Sequence, residues 1–165
     1  MKLCFKREGL LHDISNLAYV AADVGGEGRA PHELHQAFDI CEEGNVERVD
    51  RVLHLRFSEV RVLLGPLLKP VRGVAHEGEG SSRNCRMVLQ FRPNAVSAVL
   101  ALRIKEVVRE YLVAMALADW LALTLPGSEG VWKERGKEAM THLVCCLNAA
   151  LYGSAVSLRR ALSPF

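Results

Sequence analysis

Aromatic residues make up only 6% of this 165-residue chain, although half of it is apolar. The core must therefore be aliphatic, built from Leu, Val and Ala. That suits packed helices better than a sandwich or barrel, whose strands favour aromatic and β-branched side chains. Excess charge of one sign is also missing. Twenty-one basic residues face 19 acidic ones, a net charge of +2, so neither nucleic acid nor a membrane surface is expected as a partner. Residues 1–70 carry 9 basic and 11 acidic groups, and residues 71–165 carry 12 and 8, a mild asymmetry that an ordinary solvated surface explains.

Long hydrophobic runs are absent too. Tyr111 to Leu125 is apolar apart from Asp119 but too short to span a bilayer, and His142 to Leu158 is interrupted by Asn148, Gly153 and serines. The first residues, Met1 to Glu8, contain no signal-peptide core. The five cysteines, Cys4, Cys41, Cys85, Cys145 and Cys146, include no C-x-x-C pair. A reducing, cytoplasmic setting is the expectation, with inert thiols at 145 and 146. No G-x-S-x-G or Gly-Lys-Ser/Thr motif occurs. The glycines of Val24-Gly25-Gly26-Glu27-Gly28-Arg29 therefore read as an interhelical loop, not a phosphate cradle. No cofactor is expected.

What is present is helical periodicity. Leu10, Ile14, Leu17 and Ala21 mark a first helix over 10–23. A short second one starts at Pro31, with Leu34, Ala37, Phe38 and Cys41 on its apolar stripe and Gly44 as its stop. Asn45 caps a third, whose inner face runs from Val46 through Val49, Leu53, Phe57 and Val60 until Gly65-Pro66 ends it. Glycines and serines over 71–86 predict an exposed loop. Met87 to Phe91 reads as a strand that needs a partner: Lys2-Leu3-Cys4-Phe5 is the internal candidate and a neighbouring subunit the alternative.

Asn94 then caps a long helix running to Thr124. This helix is apolar on nearly every face after Tyr111, and so is either buried all round or at a subunit contact. Asp119 within it calls for a basic partner from another segment. Leu125-Pro126-Gly127-Ser128 breaks the chain, and Ser128 caps a last helix that Pro164 closes. The fold class is all-α: an antiparallel helical bundle in a single domain, with two long C-terminal helices, shorter N-terminal helices and one minor β element.

Two candidate sites follow. His32, His35 and Asp39 fall at i, i+3 and i+7, so one helix face offers two imidazoles and a carboxylate, a set suited to zinc or iron in a metal-binding protein or metal-dependent enzyme. A solvated first turn explains the same residues. Ala149, Gly153 and Ser157 recur every four residues, a spacing that lets helices approach closely, either inside the bundle or between copies in a homo-oligomer.

Several stretches carry a resemblance. His12 to Val20, His35 to Ile40, Glu43 to Val49, Glu110 to Val113 with Ala118-Asp119-Trp120, and the ending Arg159 to Phe165 resemble a group of small helical proteins of gut Bacteroidales, encoded in prophage-like or mobile-element regions. The likeness covers most of the chain outside 71–86. It implies a non-enzymatic structural or adaptor part, such as a phage-type head–tail connector or neck component, and carries over no catalytic residue.

Overall fold

A computed structural model describes residues 1–25, 39–70 and 86–161. In chain order these form β1 (Lys2–Lys6), α1 (Arg7–Gly25), a 3-10 turn (Asp39–Cys41), α2 (Glu43–Leu63), a second 3-10 turn (Gly65–Leu67), β2 (Arg86–Gln90), α3 (Ala98–Thr124) and α4 (Glu129–Ala161). The architecture is the expected helical one: two long C-terminal helices packed antiparallel, with a two-stranded sheet beside them.

The sheet forms because both strands alternate. Leu3 and Phe5 point inward, while Lys2, Cys4 and Lys6 are exposed. β2 pairs antiparallel with β1, placing Leu3 opposite Leu89 and Phe5 opposite Met87. One face is thus wholly apolar and the register is fixed by burial. Phe5 meets Phe57 of α2 edge-on, with ring centroids 5.9 Å apart. An isolated bridge between Leu68 and Phe91 adds a third extended segment on the far side of β2.

α3 is the axis of the bundle. Tyr111, Leu112, Val113, Ala114, Ala116, Leu117 and Ala118 are all buried because α4, α2 and α1 each pack against it. The absence of polar faces after Tyr111 is explained within the chain. Gly136 on α4 sits where a Cβ would come within 2.5 Å of Met115 Sδ. The glycine therefore allows close approach of the two helices.

Several boundaries differ from expectation. Glu42, not Asn45, occupies the N-cap of α2, and Gly44 lies inside its first turn. Asn45 instead donates from Nδ2 to the Asp39 carbonyl at 2.8 Å, tying the helix to the preceding turn. Ser97, not Asn94, caps α3 by accepting the Leu100 N–H. Asn94 has φ +56° and follows Pro93, the pattern of a type II turn that reverses the chain between β2 and α3. Leu125-Pro126-Gly127-Ser128 repeats it. Gly127 has φ +96°, and the Ser128 N–H reaches the Leu125 carbonyl at 3.1 Å. The helix expected from Pro31 falls largely at 26–38, outside the described residues, as does most of the expected loop at 71–86; Arg86 already belongs to β2.

Candidate functional site

α4 changes character along its length. Its inner stripe, Gly136, Ala139, Leu143, Cys146, Leu147 and Ala150, keeps three- and four-residue spacing and is buried or half-buried. Its first outward turns are charged: Lys133 pairs with Glu129 at 3.7 Å, Lys137 with Glu134 at 2.6 Å, and Arg135 with Glu110 of α3 at 2.9 Å. From Ala139 to Leu158 there is then no charged residue, His142 apart. Outward positions carry Val144 (37% exposed), Leu151 (41%) and Tyr152 (63%). Leu151, Tyr152 and Gly153 are consecutive and all exposed.

This places the small-residue pattern. Ala149 is exposed, and nothing lies within 4 Å of the position a Gly153 Cβ would occupy. These two residues do not mediate packing inside the bundle; they sit on its outside. The Ser157 side chain lies outside the described residues. Cys146 is buried against α3, and burial pushes its thiol up, whereas its neighbour Cys145 is exposed on the outward face. The expectation of two buried thiols holds only for Cys146, because a one-residue step turns the side chain about 100° around the helix.

A groove of about 500 Å³ separates α1, α3 and α4. Its floor is apolar, with Leu17, Val113, Ala114 and Trp132. Across it Arg109 pairs with Asp13 of α1, and Arg135 pairs with Glu110 while lying 5.6 Å from the centre of the Trp132 ring. The Asp13 carboxylate holds the Arg109 guanidinium above its usual range. These pairs clamp α1 and α4 onto α3. At the other end of α3, Asp119 receives Nε and Nη2 of Arg48 at 3.0 and 2.8 Å. That is the basic partner from another segment its position calls for.

One polar constellation was not anticipated. The Tyr111 hydroxyl donates to Glu59, whose other oxygen accepts from Arg56 Nη1 at 2.7 Å. Burial first, and then the Glu59 carboxylate, push the phenol up to about 12. Glu59 and Arg56 lie outside the apolar stripe of α2, and nothing in their spacing points at a tyrosine 52 residues away. Of the metal candidates, His32 and His35 lie outside the described residues. Asp39 opens the turn before α2, its carbonyl accepting from Glu42 N–H and Asn45 Nδ2. Among the described residues no three His, Cys, Asp or Glu side chains are grouped to hold a metal ion, and no helix is long and apolar enough to cross a membrane.

Comparison with protein-family models, with curated proteins and with solved structures finds no match. The geometry alone therefore bears on function, and its most distinctive part is the outward face of α4.

Proposed function

We propose that this protein is a non-enzymatic assembly or adaptor component that works by helix-mediated self-association, with the distal part of α4 as its contact surface. One observation carries the reading: Leu151 and Tyr152 of α4 are exposed, and no charged residue other than His142 stands between Ala139 and Leu158. Solvated helices normally carry charged outer faces. A partner that covers this surface removes the mismatch.

The partner is a second copy. An uncharged stripe can meet its own image without like charges opposing, and a net charge of +2 adds little repulsion between copies. Ala149 and Gly153 supply the low relief that lets two backbones approach. A connector or neck role, as the sequence resemblance implies, is one form such an assembly takes.

Solution mass by light scattering, measured as a concentration series, tests the reading. A defined oligomer is expected, and Ala149→Glu with Tyr152→Glu should reduce it to monomer while leaving the helical circular dichroism unchanged. A strict monomer at high concentration in the unaltered protein refutes self-association.

A further inference from the structure

A second groove, also about 500 Å³, lies away from α4, between the C-terminal end of α2 and the edge of the sheet. Among the described residues its charged lining is of one sign: Arg61, Lys69 and Arg92, with no carboxylate. Arg7, Arg48, Arg56, Arg103, Arg109 and Arg135 each meet a carboxylate within 4 Å. Among the described residues the three groove cations meet none.

Backbone register puts them there. Leu68 and Phe91 form the bridge and both turn into the core. With a side-chain period of two, their neighbours Lys69 and Arg92 must turn outward. The Lys69 N–H bonds the Gln90 carbonyl at 2.8 Å and the Arg92 N–H bonds the Leu67 carbonyl at 2.9 Å, which locks that register. Arg92 is further fixed by its own side chain, since Nε donates to the Leu68 carbonyl at 2.9 Å. Its two terminal amino groups remain available on a guanidinium that is already positioned.

The negative end of α2 does not consume these cations. The Val60, Leu64, Gly65 and Leu67 carbonyls are all met by backbone N–H groups. Neighbouring charge has the same sign: Lys2, exposed on β1, stands opposite Gln90. The groove also has an apolar side, where Val62 is 80% exposed beside Leu68 and Pro70.

We infer that this groove is a binding site for a small organic phosphate, with Arg61, Lys69 and Arg92 on the phosphate oxygens and Val62 and Pro70 along the organic body. A fixed guanidinium fork flanked by two further cations matches the geometry and charge of a phosphate group. The volume exceeds that of the phosphate alone, leaving room for the rest of the ligand. The site is separate from the self-association surface and stands without it.

Calorimetric titration of the full chain with sodium pyrophosphate at physiological salt tests the assignment. Saturable binding of one pyrophosphate per chain is expected. Arg61→Gln with Lys69→Gln should weaken it by about tenfold or more. Both residues are exposed, so the fold is retained, which circular dichroism checks. Arg51→Gln, which removes an exposed α2 cation outside the groove, should leave binding unchanged. Three results overturn the proposal. They are no saturation in the unaltered protein, equal weakening by Arg51→Gln, and binding to phosphatidylglycerol vesicles without binding to free pyrophosphate.

Discussion

Tyr111 offers a sharp test of the interior, because its phenol is held at about 12 instead of the ordinary 10.0. In the unfolded chain the phenol loses its proton around pH 10; in the folded chain it keeps the proton to about pH 12. Between these values the unfolded state binds fewer protons than the folded state, so stability falls as pH rises through that window and is fully present below it. A displacement of two units sets a ceiling of ~2.7 kcal/mol. The Glu59 side chain is 39% exposed, and solvent screening brings the expected effect to ~1 kcal/mol.

Tyr111→Phe removes the hydrogen bond to the Glu59 carboxylate and should cost ~1 kcal/mol at pH 8. Lysines and the other tyrosines titrate in both proteins, so the difference between them isolates position 111. Urea denaturation followed by circular dichroism, repeated from pH 8 to pH 12, should show the gap between the two proteins closing as pH rises. Absorbance at 295 nm should show that the tyrosinate missing from Tyr111→Phe is the one that forms near pH 12. Parallel stability curves across the whole range, or ionisation of Tyr111 near pH 10, would refute the argument.

Four further outcomes follow from the packing. Gly136→Leu should destabilise the protein by ~2 kcal/mol by forcing α4 off Met115, read from denaturation midpoints. Gly136→Ala should be more favourable in a Met115→Ala background than alone, by up to ~1 kcal/mol, because helix propensity is then no longer opposed by the clash; equal effects in both backgrounds would count against close approach at this point. Leu112→Ala, fully buried on the central helix, should cost ~2–5 kcal/mol in the same assay. The Arg48–Asp119 pair is about 40% exposed on both sides, so a double-mutant cycle should return under ~1 kcal/mol and less at high salt.

The helical class, the break at Pro126-Gly127 and the pairing of the first residues with the Met87 strand were all legible without coordinates. Each rests on local chemistry: apolar spacing, a turn that needs proline and glycine, and alternation with period two. The end of α3 at Thr124 follows from the same logic. Cap identity was less legible. Asn94, Ser97, Asn45 and Glu42 stand within a few residues of a helix start, and only the path of the preceding chain decides which of them caps it. At Asn94 that path required a left-handed turn, which asparagine tolerates.

Contacts between distant segments, and the direction each side chain faces, were settled by tertiary structure alone. Tyr111 with Glu59 and Arg48 with Asp119 join residues 52 and 71 positions apart; helix period fixes the face of each but not which faces meet. The spacing of Ala149 and Gly153 pointed first to the bundle interior, and it is Leu143 and Cys146 that take the inner stripe. The cations at 61, 69 and 92 share no motif and belong to three different segments. Periodicity specifies what each segment buries, whereas packing specifies what the whole leaves uncovered, and in this protein both proposed surfaces are of the second kind.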